Sequence, residues 1–546
     1  MRIFLFLLIA LSFSLCRAQE KADISIHGAA FLSVDAYTSA SKDTLWKPRL
    51  PGLSARAILR ANVSLYDVIE APFELYASTS GSGLQQPFNQ FGISPRYQWL
   101  TVHAGYFSSK ISDLTFGDVR MLGGGLEVHS AGMHVVALYG IGRRARLPDY
   151  AAQFAGEYER TMTAVKIGYG EENEWNVQLN VVQALDHPAS LPADSLTPFP
   201  TENLASTISF GLPFSDVFSM RGELGASIFS NNTTAPELGD SLLRFPHFLF
   251  TPRYSTQIDG AGKLSFIVTP AKNWAVKLDA QWIGPGYVSQ GYMQLQNDIF
   301  ETVIAPSVRL FDTKLLLRSS LGLRYNNLRN NRLAATRRVV GSFVASAQIT
   351  PEFSLDAQYS NYGIRSSHVN DTLRQQNIFQ MISLSPRWQF TLLNMPQSVS
   401  VSYSYQDVDD KNLFTSLSTL STTHLGSIVH TLSATSTMNF SSSGLYTSIL
   451  TPVITTKVLN LSETISDSYY DGKLSVSVTG GYSFVRTSTI GQDNQFVGRL
   501  TGSYQLTEKG MLILNINSNN YDYAQAAVGN ASFREFQASL LYQLTF

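Results

Sequence analysis

Cysteine is almost missing from this chain: one stands among 546 residues, Cys16, close to the start. Disulfides therefore do not brace the fold, and a thiolate-rich metal cluster is excluded. Charge is scarce as well. Asp, Glu, Lys and Arg make up 15% of the residues, where a soluble protein carries about 25%. The 40 basic and 41 acidic groups leave a formal net charge of −1, so no basic footprint for nucleic acid exists. Long apolar runs are absent beyond residues 3–15, and the mean hydropathy is −0.01. An α-helical membrane protein, which needs runs of roughly 20 apolar residues, is excluded too.

The one apolar run follows Met1-Arg2 and ends in Cys16-Arg17-Ala18-Gln19. A basic residue, a short apolar core and a small residue before Gln19 describe a secretory signal peptide over residues 1–18. Leu15 is too bulky for the position before a lipidated cysteine, which argues against lipidation of Cys16. Cleavage after Ala18 removes the only cysteine, and an exported chain is left that must be stable without disulfides.

What the sequence has in abundance is alternation. In residues 53–66, Leu53, Ala55, Ala57, Leu59, Ala61, Val63 and Leu65 alternate with Ser54, Arg56, Arg60, Asn62 and Ser64. In 218–228, Phe218, Met220, Leu224, Ala226 and Ile228 alternate with Ser219, Arg221, Glu223 and Ser227. Similar stretches start near 24, 276, 315, 353, 399 and 474. The last, 536–546, puts Phe536, Ala538, Leu540, Tyr542, Leu544 and Phe546 on one face. Successive side chains of a strand point to opposite faces, so a period of two marks a strand with one apolar and one polar face. Stretches of about 10 to 16 residues exceed the five or six usual in globular sheets and suffice to cross a hydrocarbon layer at a tilt.

Short connections rich in turn formers, such as 170–174, 269–273, 350–352, 441–444 and 470–472, alternate with long ones such as 142–160, 185–203, 231–248 and 284–297. Short turns on one side and long loops on the other are the pattern of outer-membrane barrels. Roughly eleven short turns imply about 24 strands, within 22–26. The expected fold is all-β, a transmembrane antiparallel up-and-down β-barrel over residues 19–546, closed by pairing 536–546 with 24–37. Between 81 and 122 the alternation fails around one strand placed at 96–107. Two consecutive long connections cannot share a side, so this stretch is expected either as a lumenal constriction or as a long periplasmic turn.

Three runs in this region carry a family resemblance: Gln86-Pro87-Phe88-Asn89-Gln90-Phe91-Gly92-Ile93-Ser94-Pro95, then Arg96-Tyr97-Gln98-Trp99-Leu100, then Leu122-Gly123-Gly124-Gly125-Leu126-Glu127. Here the sequence resembles large outer-membrane barrels of Bacteroidetes-type bacteria. That family has no assigned biochemical activity, so the resemblance implies fold and location, not mechanism. The ending at Leu540, Tyr542, Leu544 and Phe546 resembles the C-terminal signal that barrel-assembly machinery reads.

Charged residues on the polar faces, Arg56, Arg60, Arg221, Glu223, Lys277, Asp279, Arg318, Arg324 and Asp356, are expected to face the lumen, because lipid would penalise each by several kcal/mol. Nine dispersed histidines supply no set of three or four converging ligands. No G-x-S-x-G elbow or phosphate-binding Lys-Ser/Thr follows the glycine run. No enzyme, cofactor or metal site is expected. The function read from these residues is a non-enzymatic channel passing a solute or polymer across a bacterial outer membrane, with both termini periplasmic. The alternative is a scaffold barrel holding a periplasmic or surface partner protein. Expected partners are outer-membrane lipid, lipopolysaccharide and the assembly machinery, and no nucleic acid.

Overall fold

In the computed structural model, which describes residues 24–41, 48–65, 69–79, 90–117, 119–149, 154–171, 174–192, 198–239, 246–292, 294–368, 376–410, 420–488, 491–524 and 532–546, the alternating stretches form strands. They run long, up to 18 residues in Ile24–Ser41 and 17 in Gly491–Thr507. Among the described residues the only helical piece is a single 3-10 turn, Pro188–Ser190.

Neighbours in the chain pair antiparallel throughout. The first strand also pairs with the last, Phe533–Thr545, from Ala29 opposite Thr545 to Ser41 opposite Phe533. The result is a closed antiparallel barrel of 26 strands without a free edge. Closure satisfies every backbone ladder internally.

One strand position is shared by two pieces, Gln90–Ile93 and Arg96–Tyr97, both lying between Ile69–Ser78 and Leu100–Ser109. Pro95 has no N–H to give, so the ladder breaks there, and the Ser94 N–H turns to the Pro72 carbonyl at 3.0 Å. Gln98 then takes a φ of 42° and reverses the chain with Trp99. A single strand at 96–107 is therefore replaced by a hairpin. The two arms take the place of one expected strand, so the end of Ile69–Ser78 and the start of 110–117 lie at the same rim, and the barrel has 26 strands where about 24 were expected. Residues 441–444 are likewise no turn: they lie inside Asn439–Leu450, and the reversal falls at 434–438. Their serines and glycine are small residues of a wall strand, not turn formers.

The faces separate on most strands, Glu463 being an exception: it stands between the exposed Leu461 and Ile465 and accepts from the Ser442 hydroxyl at 2.7 Å. On Trp274–Ile283 the exposed Trp274, Leu278 and Trp282 point away from Lys277, Asp279 and Gln281. Trp99, Trp175, Trp274, Phe311, Trp388 and Tyr470 stand exposed near the short-turn rim, and Trp282, Tyr325, Tyr446, Tyr482 and Phe496 towards the other. From Trp274 to Trp282 is about 26 Å along the strand, or about 20 Å along a barrel axis tilted near 40°. An apolar band bounded by aromatic belts thus circles the exterior. Both ends of the described chain, Ile24 and Phe546, lie at the short-turn rim.

Candidate functional site

The inner wall is mostly small and polar. Where it runs from Ser320 with Ser342 through Ser402 with Ser427 and Ser443 with Ser462 to Thr464 with Thr479, paired hydroxyls face each other at 2.6–2.9 Å. One sector differs. Phe107, Met121, Val136, Leu138, Met162, Ala164, Val182 and Ala184, from five neighbouring strands, all project to the same side and form an apolar patch. Left facing water it would cost about 25 cal/mol per Å².

The segment after Leu100–Ser109 covers it. Residues 110–117 turn inwards instead of rising from the rim, and Ile111 and Phe116 seal the patch, Phe116 being 0% exposed. One short segment can reach residues of so many strands only on the concave side of a closed sheet. That geometry fixes which face of the wall is the lumen.

Polar contacts pin the same segment. The Ser112 hydroxyl donates to Glu223 Oε1 and accepts from the N–H groups of Leu114 at 3.1 Å and Thr115 at 3.0 Å. The Asp113 N–H donates to Glu223 Oε2 at 3.2 Å. Lys110 and Lys263 each approach an Asp113 oxygen at 2.8 Å. Burial pushes the Asp113 carboxyl up, but the two ammonium groups outweigh it and hold it below the ordinary carboxylate range. Lys110, facing Asp113, is shifted up by that hydrogen bond and charge.

A second segment, 284–298, of which residues 284–292 and 294–298 are described, folds against the first. The Tyr287 hydroxyl donates to the Leu114 carbonyl at 3.2 Å, the Ser289 hydroxyl donates to that of Thr115, and the Gly117 N–H meets the Gly291 carbonyl at 3.1 Å. A Cβ on Gly291 would stand 2.4 Å from the Thr115 carbonyl oxygen, so the crossing tolerates no side chain. Burial, with Glu223 nearby, raises the Tyr287 phenol well above its usual range. The Asn203 amide holds this segment from the wall, donating to Val288 O at 2.9 Å and accepting from Gln290 N at 3.0 Å. Residues 327–333 brace it from behind, with Arg329 on Asp259 at 2.7 Å and Arg332 on Asp298 at 3.0 Å.

Of the charged residues singled out in the sequence, two touch these inward segments. Glu223 receives Ser112 and Asp113, and Arg324 reaches Gln296 and lies 3.8 Å from Glu301. Arg56 pairs with Asp35 at 3.1 Å, and Lys277 with Asp279 at 3.0 Å. Arg60 shares the face of Arg56, opposite Ala29 and Glu74 in register. Arg221, Arg318 and Asp356 lie on the faces of Glu223, Arg324 and Ser354, away from both segments. Leu540, Tyr542, Leu544 and Phe546 share the outward face of the closing strand, and Phe546 exchanges backbone hydrogen bonds with Gly28 at 2.7 and 3.0 Å. Sequence reading passed over Ser112, Asp113, Asn203, Lys263 and Tyr287. No local pattern marks them: Lys263 faces Glu223 in register, a pairing invisible before the strands are aligned. The stretch 81–122 is divided: 81–89 lie outside the described residues, 90–109 belong to the wall, and 110–117 enter the lumen. His129 and His134 face each other with ring centroids 4.9 Å apart, and no group of three metal-ligating residues converges among the described residues.

No protein-family model matches the chain, and no curated protein matches it. Solved barrels do superpose on it. The P pilus usher PapC translocation pore shares 11% identity, with 96% of this chain and 100% of that one covered at a TM-score of 0.38. The ferric enterobactin receptor PfeA of Pseudomonas aeruginosa shares 11%, covering 97% and 81% at a TM-score of 0.44. The ferric-catecholate import receptor Fiu of E. coli K12 shares 9%, covering 95% and 81% at 0.39. Likeness this distant adds nothing to what strand pairing itself establishes.

Proposed function

We infer that this chain is a non-enzymatic channel of a bacterial outer membrane, passing a solute or polymer through a lumen narrowed by 110–117 and 284–298. The observation that carries the reading is a largely polar inner wall whose main buried apolar patch is covered by a folded-in, ion-paired segment. A closed ladder and an apolar exterior between aromatic belts suit lipid, where every backbone group must be satisfied internally. The signal-peptide pattern of residues 1–18 supports export, and the short-turn rim, where both ends lie, would face the periplasm. For 26 strands spaced about 4.8 Å at a tilt near 40°, the barrel is about 50 Å across between backbones. Two short segments on one side leave the hydroxyl-lined wall opposite open to water. Arg56, Arg60, Arg221, Lys277, Arg318 and Arg324, with Glu223, Asp279 and Asp356, would line the passage, and their mixed signs favour weak ion selectivity.

Single-channel recording of purified protein in planar bilayers tests this. Wild-type protein is expected to give stable open-pore currents, and replacing 110–117 by a short Gly-Ser linker should raise the conductance. Electrically silent protein that co-purifies with a periplasmic or surface partner would sink the channel and favour a scaffold. Conductance unchanged by the replacement would remove 110–117 as the constriction.

A further inference from the structure

Outside the barrel, near the long-loop rim, two arginines stand directly opposite each other. Arg337 on Ala334–Gln348 and Arg365 on Phe353–His368 are register partners across the antiparallel pair. Side chains so placed are about 5 Å apart at Cβ, and like charges there repel. Neither guanidinium has an ion pair or hydrogen bond among the described residues, and both are exposed. The outward acidic residues nearby, Asp407 and Asp409, stand two strands further round, and Asp407 is engaged by the Thr422 hydroxyl. The neighbouring arginines are already neutralised, Arg329 by Asp259 and Arg332 by Asp298.

Depth matters as much as charge. Arg337 shares its face with the exposed Val339, Phe343 and Ile349, and Arg365 shares its face with Tyr359. From Val339 to Ile349 is about 33 Å along the strand, or about 25 Å along the axis, which equals the apolar band of an outer-membrane barrel. Arg337 lies one outward rung, about 5 Å, beyond that band, where lipid headgroups sit. Around it is a concavity of about 460 Å³, lined by Asn327, Asn330, Thr336, Arg337 and Arg365 under the turn at 327–333. The turn is rigid, because the Asn327 amide holds the Arg332 carbonyl at 3.0 Å and that of Ala334 at 3.3 Å.

We propose that Arg337 and Arg365 form a seat for the phosphate of an anionic lipid headgroup. Two adjacent guanidiniums offer paired N–H forks that match phosphate oxygens, and the anion relieves their mutual repulsion. The seat rests on the reading of the exterior as lipid-facing, but not on passage through the lumen.

Native mass spectrometry of the full-length barrel, titrated with lipid A, phosphatidylglycerol or phosphatidylcholine, tests the seat, with inorganic phosphate as competitor. Wild-type protein should retain lipid A or phosphatidylglycerol at least about tenfold over phosphatidylcholine, and Arg337→Gln/Arg365→Gln should lose that preference. Which anionic lipid is retained tells a glycolipid from a phospholipid source. The unliganded double variant should melt no lower than wild type, since repulsion is removed, and this shows that the barrel is folded. An unchanged preference in the folded double variant, or none in wild type, overturns the seat. Full displacement by millimolar inorganic phosphate overturns its assignment to lipid. Failure of the protein to enter liposomes would instead remove the membrane reading on which the seat depends.

Discussion

At the scale of single residues, Asp113 is the joint of the inward segment. Two ammonium groups and the burial of the carboxyl act against each other, and the ammonium groups win. The sign for pH follows. A carboxyl whose folded value lies below its ordinary one contributes stability that is complete above the ordinary range, near 3.9, and is lost as pH falls through the folded value. Docking of 110–117 should therefore be constant from pH 8 to about pH 5 and weaken only below about pH 4. Single-channel conductance recorded across that range checks this: flat at neutral pH, rising in acid, with the rise moved to higher pH in Lys263→Met. A rise centred near pH 6 would point to a histidine and away from Asp113.

Single residues also decide what a reader of the sequence can see. The reversal at Gln98-Trp99 carries no Gly, Pro, Asn or Asp, and Gln98 takes a left-handed φ of 42° that glutamine seldom adopts. Turn chemistry could not reveal it. An exposed aromatic flanking the turn, as at Trp175 and Trp274, was the better signal, because interfacial aromatics mark strand ends in barrels. Residues 441–444 misled in the opposite sense, since Ser and Gly suit turns and lumen walls alike.

At the scale of elements, the strands were legible and the folded-in segments were not, for one physical reason. Alternation is local, so a period of two in a dozen residues suffices to place a strand and its faces. The contacts that hold 110–117 bridge long separations: Ser112 to Glu223 spans 111 residues and Asp113 to Lys263 spans 150. No local pattern encodes them, and only the closed barrel brings them together. The segment 284–298 depends in the same way on the turn at 327–333. Asp298 is 2% exposed at its side chain and meets Arg332, so removing the guanidinium strands a buried carboxylate at a cost of about 2–3 kcal/mol. The double substitution Arg329→Gln/Arg332→Gln should therefore free the segment without unfolding the wall. Chymotrypsin digestion of the detergent-solubilised protein is the check, because 284–298 holds Tyr287 and Tyr292 but no Lys or Arg. Faster cleavage after Tyr287 or Tyr292, with a melting temperature within a few degrees of wild type, is expected, whereas equal protection in variant and wild type would show that Asn203 and Tyr287 hold the segment unaided.

At the scale of the whole molecule, closure is the property on which the rest depends, and Phe546 sits at its last rung. Its backbone exchanges two hydrogen bonds with Gly28, while the seam continues from Ala29 opposite Thr545 to Ser41 opposite Phe533. At about 0.5–1.5 kcal/mol each, two hydrogen bonds are a small part of such a seam. Their loss cannot open the barrel. If Leu540, Tyr542, Leu544 and Phe546 serve chiefly as an address for assembly machinery, deletion of Phe546 should separate two measurements that a purely structural role would keep together. Protein refolded from urea into detergent should melt within a few degrees of wild type and give the same conductance. In cells the same variant should reach the outer membrane at a small fraction of the wild-type level and accumulate as unfolded periplasmic chain. A large drop in the refolded protein's melting temperature would make Phe546 a structural residue, and normal insertion in cells would remove its role as a signal. The two results together decide whether the final aromatic closes the barrel or delivers it.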